Sequence, residues 1–541
     1  MISDLAYGLR LLSLAGATIF AMPLAAQYFP SPPDWRDLTL YMIFTDRFAD
    51  GNPANNELTP GVRAEPANPR GVHGGDFKGI EQHLDYIQGL GPRALWLTPV
   101  CLNEASSAWH GYGANDLATV SPQLGGLEGL RGLIRAAHAR RMYVILDVVV
   151  NHLGDVVTSD DPGWPGYRAT GEGYHLRWRS ADRIPAAPFN NLNWFHDRGQ
   201  IGDWNNPVER VVGQFYTLAD LRTELPEVRA ALIGVCQKLI RDTDCDGFRV
   251  DTVRHVERSF WDAWCPAIRD YARALGKTNL LMFGEVADRD DQLLASYTSE
   301  TNGPGFDSLL DFPLFYAIKD VIAGEAPTRR LTERFERLVH PPYSKESLTQ
   351  LVTFLDNHDQ PRFLAAENAR GEVARLRQAL VFLYSAVGIP CLYYGTEQGF
   401  NGGADPFNRE DMVQRSPAGR PTDHFNPNHP LYRFIQRLHE IRQAHPALRV
   451  GKQKFVADDP RRPGIYAFAR QYGEDCALVV LNTAATPKRF STGAAVFPAG
   501  TLLRPAIGEG NSIRINPAGR IPGMKLPAKS AEIFVSSSTP P

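Results

Sequence analysis

Apolar residues in this chain fall into two patterns. Short continuous runs occur at LTLYMIF (38–44), ALWLTPV (94–100), MYVILDVVVNH (142–152), GFRVDTV (247–253), LLMFGEV (280–286), SLLDFP (308–313), LTQLVTFLDNHD (348–359) and PCLYYGTEQGF (390–400). Between and after them lie stretches with an apolar residue every three or four positions. These are GIEQHLDYIQGLG, GLEGLRGLIRAAHARR (Leu127, Leu130, Leu133, Ile134 and Ala137 on one stripe), EVRAALIGVCQKLIRD, SFWDAWCPAIRDYARALG, PLFYAIKDVIAG, VARLRQALVFLYSAVG and LYRFIQRLHEIRQAH. The runs have the length and composition of strands buried on both faces, and the periodic stretches those of amphipathic helices. Eight such strand–helix units predict a parallel sheet closed into a (β/α)8 TIM barrel rather than a doubly wound sheet.

The alternation breaks twice. From about Asn151 to Leu221 the chain is rich in Gly, Pro, Trp and Asn without a period. A structureless loop of that length is implausible in a compact fold, so a small irregular domain inserted after the third strand is expected. Beyond about Leu448 the helical period stops, and GIYAFARQY, CALVVLNTA and AEIFVSS read as strands between Gly/Pro turns, an all-β sandwich domain. The expected layout is a leader over 1–26, the barrel over 27–152 and 222–448, the inserted domain over 153–221, and the β-sandwich over 449–541.

Composition narrows the partners. A chain of 541 residues accommodates a barrel of about 250 residues or more with additions. A formal net charge of -3 carries no basic bias, which argues against nucleic acid. At the N-terminus, Arg10, an apolar run and Leu24-Ala25-Ala26 before Gln27 read as a secretory signal peptide cleaved after Ala26. An uncleaved anchor is the alternative, because the leading segment is weakly charged and carries Asp4. No later segment is apolar for long enough to span a bilayer, so a secreted or periplasmic monomer is expected. The cysteines (Cys101, Cys236, Cys245, Cys265, Cys391, Cys476) show no CxxC pair and no His at zinc spacing. Cys101 and Cys391 fall in strand-like runs and are expected to be buried thiols.

Charged residues interrupt the apolar runs in one register. Asp147 and Asn151-His152 end the third strand, Arg249 and Asp251 the fourth, Glu285 the fifth, and His358-Asp359 the seventh. Such side chains do not enter a barrel strand unless they are paired or used. Barrel active sites are built at the C-terminal strand ends, so these segments deliver carboxylates to one rim.

DVVVNH (147–152), GFRVDTVRH (247–255), FGEV (283–286) and FLDNHD (354–359) resemble the four signature blocks of the α-amylase family of glycoside hydrolases. HGGDFKGI (73–80), WHGYGANDL (109–117), LADL (218–221) and YYGTEQG (393–399) support the resemblance, which runs from about Leu38 to the C-terminus. It implies a retaining hydrolase of α-glucans such as starch and maltooligosaccharides. Asp251 would be the nucleophile, held ionised by Arg249 two residues earlier on the same strand face. Glu285, in the apolar setting MFGEV, would hold a proton and pass it to the leaving oxygen. Asp359 would bind sugar hydroxyls and favour the distorted ring. Tyr112, His152, Arg254, His255 and His358 would line the substrate site, with Tyr112 beneath the ring.

The resemblance also implies Ca2+. Asn151, Asp220 and the backbone carbonyl of His255 match a site joining the inserted domain to the barrel. Asp50, Asn52, Asn55 and Asn56, with Gly74 and Asp76, match a second; hard cations want such clustered oxygens, although an Asn/Asp-rich turn would look alike.

Alternatives within the family are a cyclodextrin-degrading or neopullulanase-like hydrolase, an α-glucosidase and a glucanotransferase. A catalytically dead, transporter-associated relative is the non-enzyme alternative, and the intact acids argue against it. The short segment before the first strand leaves no room for the N-terminal domain of neopullulanase-like enzymes. The end of the β-rich tail leaves none for further starch-binding domains. Val286 and Ala287, where the transferases carry a Trp after FGE, suggest a less shielded acceptor side and hence hydrolysis.

Overall fold

The computed structural model describes residues 28–298, 303–339, 343–414 and 421–536. The expected signal peptide over 1–26 lies outside them. Eight strands form one parallel sheet: β1 (Leu40–Ile43), β2 (Ala94–Leu97), β3 (Tyr143–Val148), β4 (Gly247–Val250), β5 (Leu281–Gly284), β6 (Ser308–Leu309), β7 (Val352–Thr353) and β8 (Ile389–Tyr393). Each pairs with its neighbour in sequence, β8 returns to β1, and a parallel bridge from Leu310 to Val352 closes the barrel. All eight expected strands are present, with β6 and β7 only two residues long. In β1, β2, β4, β5, β6, β7 and β8 every residue is buried, which is why their sequences lack the alternation of a half-exposed sheet.

Helices Gly126–Ala139, Pro226–Thr243, Arg258–Ala274, Val373–Ser385 and Pro430–Ala444 cover the barrel where the period placed them. A helix over Arg329–Val339, between β6 and β7, was not expected. Its sequence, RRLTERFERLV, does carry Leu331, Phe335, Leu338 and Val339 at helical spacing, a short stripe among charged residues. No helix among the described residues is long and apolar enough to cross a membrane.

Between β3 and β4 the inserted region has only a short ribbon (Val157–Thr158 with Arg177–Trp178), 3-10 turns and the helix Pro207–Val212. A bridge from His152 to Asp220 and the bond from Leu221 N to Asn151 O (2.8 Å) fasten it to the barrel rim, and a bridge from Phe195 to Leu221 ties it internally. The C-terminal region is all-β: a six-stranded sheet with its own core of Leu478, Phe490, Leu503 and Phe534, beside a two-stranded ribbon. Gln378 joins it to the barrel by donating to the carbonyls of Asn482 (2.7 Å) and Ser530 (3.0 Å). All six cysteines are free thiols; Cys391 is buried as expected, whereas Cys101 is only half-buried.

Candidate active site

Strand alternation points Arg249 and Asp251 the same way, into the top of the barrel. Arg249 is fully buried, and its guanidinium is shared by three carboxylates. Nη1 lies 2.9 Å from Asp147 Oδ2 and 2.8 Å from Asp251 Oδ1, and Nη2 lies 2.8 Å from Glu285 Oε2. Asp147 is further fixed by donation from Tyr112 Oη (2.9 Å) and Trp96 Nε1 (3.1 Å). The ladder continues past the strand ends, with Asp251 N donating to Val148 O and Glu285 N to Val250 O. The backbone then turns sharply: Thr252 adopts φ 47°, and its N–H faces Glu285 Oε2 at 3.3 Å. A left-handed Thr beside an acid cluster is a strained conformation that the surrounding structure must hold.

One cation facing three carboxylates changes two expectations. Arg249 does not simply hold Asp251 ionised. Burial pushes the Asp251 carboxyl well above its ordinary value, and Glu285, Asp147 and Asp359 push the same way against the pull of Arg249. Burial likewise lifts Asp147 to about 6. The protonated forms of Asp251 and Asp147 are therefore favoured more than those of exposed carboxyls. Nor is the Glu285 carboxylate in an apolar setting. Val286 beside it is buried, but the carboxylate itself meets the guanidinium.

The other expected residues take distinct places. His358 is buried, stacks on Tyr112 (centroids 5.3 Å, planes 4° apart) and lies 3.2 Å from Asp359. The Asp359 side chain is 43% exposed and faces the open rim. Burial lowers His152 and His255 to about 4 and pushes His358 well down, so these rings are neutral hydrogen-bonding groups near pH 7. His152 Nε2 lies 3.1 Å from Tyr112 O. Arg254 does not face the carboxylate cluster. It donates to Ala287 O and pairs with Asp288 (3.1 Å each), tying the β4 loop to the β5 loop.

Three features escaped the sequence reading. Arg409, after β8, stands 3.4 Å from Asp359 and packs over Phe44 and Trp109. Asn408 beside it is fully buried under the β7 loop. An aromatic ledge of Trp204, Phe215 and Tyr216 rises from the inserted region against His255, with Phe215 5.1 Å and Trp204 6.0 Å from that ring. Tyr216 is 66% exposed and has φ 57°. Val286 is buried, and the exposed rings near His255 come from the inserted region. The signals were present as FY just before LADL and NR shortly after YYGTEQG.

Among the described residues no three His, Cys, Asp or Glu side chains gather as a metal cluster. The expected cation sets instead rely on amide and backbone oxygens, and their chemistry fits. Asp220 is fully buried; its Oδ2 meets His196 Nδ1 at 2.6 Å, while Oδ1 has no partner within the protein. Burial lifts Asp220 to about 7. Asn151 is buried beside it, with Nδ2 turned to His152. In the other loop, Asn55 Oδ1 and Asn56 Oδ1 are buried acceptors without a protein partner. Asn56 Nδ2 donates to Asp50, and Gly74 is needed because a Cβ there would lie 2.4 Å from Asn56 Nδ2. Asn52 is exposed, and its N–H goes to Asp76. Asp76 differs from the rest: its oxygens accept from Gly51 N, Asn52 N, Asn55 Nδ2 and Gly79 N, so it caps a helix and shapes the loop.

A family model described as "Alpha amylase, catalytic domain" matches residues 42–425. The chain is 35% identical over 462 residues to a β/α-amylase of Paenibacillus polymyxa, covering 83% of this chain and 34% of that one. It is 29% identical over 456 residues to a cyclomaltodextrin glucanotransferase of Bacillus sp. (strain 38-2), covering 82% and 59%. The chain thus spans between a third and three fifths of the length of these two curated relatives. A crystal structure of an Anoxybacillus α-amylase superposes with TM-score 0.77 at 30% identity, over 94% of this chain and 100% of that one.

Proposed function

The chain belongs to the α-amylase family of glycoside hydrolases, and from that premise we propose that it hydrolyses α-1,4-glucosidic bonds of starch or maltodextrins with retention. The observation that carries this reading is the clasp of Asp251 and Glu285 on the two Nη atoms of one guanidinium. Two carboxyls so confined suit the separation of about 5–5.5 Å used in retention, which leaves no space for an intervening water. Asp251 attacks the anomeric carbon and carries the glycosyl ester. Glu285 protonates the departing oxygen, then takes a proton from the incoming water. This chemistry requires Asp251 to react as the carboxylate and Glu285 as the acid. Asp359, exposed on the rim, binds ring hydroxyls, and Tyr112 with His358 forms the floor. Secretion is part of the same proposal, resting on the leader at 1–26.

Asn151, Asp220 and the carbonyl of His255 would hold one calcium, and Asp50, Asn52, Asn55, Asn56, Gly74 and Asp76 would frame another. When bound, the ion supplies positive charge and coordination that fasten loops to the barrel. The unpartnered oxygens of Asp220, Asn55 and Asn56 support this.

The aromatic ledge favours a second reading, glucan transfer. The leaving group departs on the side of Glu285, and the ledge packs on His255, a ring that feels the Glu285 charge. Exposed rings there would hold a sugar acceptor in place of water. Chromatography of an early starch digest separates the two. Short linear maltooligosaccharides support hydrolysis; cyclodextrins or elongated chains as main products, lost in Tyr216→Ala, support transfer.

A further inference from the structure

We propose that Asn408 is a positioning residue that aims Asp359 into the cleft. The inference rests on the functional reading above, in which Asp359 binds the reacting sugar. Asn408 is fully buried beneath the turn that follows β7. Its Nδ2 lies 2.8 Å from His358 O, 2.9 Å from Gln360 O and 3.3 Å from Asn357 O. Three carbonyls of one turn therefore converge on one amide nitrogen, which has two hydrogens to offer. Rotating the amide by half a turn would set its oxygen against three oxygens, so the geometry admits only this orientation.

The convergence decides where Asp359 points. Carbonyls on both sides of it face inward to Asn408, and its own N–H donates to Asn357 Oδ1 at 2.9 Å. With the backbone so committed, the carboxylate is left on the outer face, 43% exposed, while the neighbouring His358 side chain is 1% exposed. Arg409 completes the hold, donating from Nε to His358 O at 3.0 Å and standing 3.4 Å from the carboxylate. The support is itself fixed. Tyr393 Oη donates to Asn408 O (3.2 Å), and Glu410 pairs with Arg362 (2.9 Å) and accepts from the amides of Asn401 and Gly402. Without Asn408, Gln360 O would lose its donor, His358 O would keep only Arg409 Nε, and Asn357 O only the long bond from Gln360 N (3.4 Å), so the turn would loosen around Asp359.

A double-variant cycle on starch hydrolysis tests this. Asn408→Ala is expected to lower kcat by roughly 10²-fold, the effect of a misplaced group, with little change in KM. In the Asp359→Asn background the same substitution should lower kcat no further, because the group it positions is already lost. Asn408→Ser, whose hydroxyl restores one donor, should fall between and serves if the Ala variant does not fold. Wild-type kcat in Asn408→Ala, or losses that multiply in the double variant, would overturn the inference while leaving the functional reading intact. A fully active Asp359→Asn would overturn both.

Discussion

The two ends of the barrel use the same residue types in opposite ways. At the C-terminal end, one guanidinium serves Asp147, Asp251 and Glu285. At the N-terminal end, Asp246 and Asp244 meet two cations. Lys277 Nζ lies 2.8 Å from Asp246 and 2.6 Å from Asp244, and His138 Nε2 lies 2.8 Å from Asp246. Asp246 also accepts from Val144 N, and Asp244 accepts from Phe29 N, which staples the first described residues under the barrel. Arg249 above and Asp246 with Lys277 below are buried, whereas Asp244 is a quarter exposed, so desolvation bears on both clusters. Below, charge is balanced and the cluster fastens chain segments together. Above, negative charge is in surplus, which costs stability and pushes the Asp251 carboxyl upward. Balance marks the structural cluster and imbalance the chemical one.

Removing one acid from each end should give opposite results. Asp251→Asn takes away the proposed nucleophile and relieves crowded charge. Turnover should fall on the order of 10⁴-fold or more, with an unfolding midpoint equal to or above wild type. Asp246→Asn strips a buried pair of its partner and should cost about 3–5 kcal/mol of stability while turnover per folded molecule holds. Denaturant titration and active-site-normalised rates read both. If Asp251→Asn destabilised as strongly as Asp246→Asn, the contrast would collapse.

Calcium sharpens the contrast from outside either cluster. Chelation should lower the unfolding midpoint, a loss of about 2.7 kcal/mol of stability if the ion stood at a hundred times its Kd, and added calcium should restore it. Asp220→Ala should shrink that response. An unchanged midpoint with no metal found by elemental analysis would remove calcium from the account.

The smallest expected effect is in pH dependence. Burial opposes the charged His138 ring, but Asp244 and Asp246 raise it overall above its ordinary 6.5. Its contribution is therefore complete below about 6.5 and is lost as pH rises through the raised folded value. Asp244 is lowered, by its bonds to His138 and Lys277 working against burial. Its contribution is present above its ordinary value and fades as pH falls through the lowered one. The unfolding midpoint of the wild type should decline on the alkaline side more than that of His138→Gln. Parallel curves would show that the lower cluster does not use the histidine as a cation.

What the sequence made legible follows from this division. The barrel strands were legible because a strand covered on both faces must be apolar throughout, so a charge within it, as at Arg249, announces itself. The acids could be placed on one rim for the same reason. The helix at Arg329–Val339 carries its period in Leu331, Phe335 and Leu338 and was legible, though short. The aromatic ledge and the Asn408–Arg409 support lie in irregular loops, where no period reports which way a side chain points. Sharing of one guanidinium among three acids is a property of three strands at once. Spacing along one strand pairs Arg249 with Asp251 and is silent about Glu285.

In the proposed reaction Asp251 and Glu285 act as a retaining pair on α-glucan. The most direct test follows the anomeric protons of the first product released from a maltooligosaccharide by NMR, before mutarotation mixes the anomers. Two displacements at one carbon restore its configuration, so the α-anomer should appear first and the β-anomer only as mutarotation proceeds. Initial release of the β-anomer would mean a single displacement by water and would contradict the account.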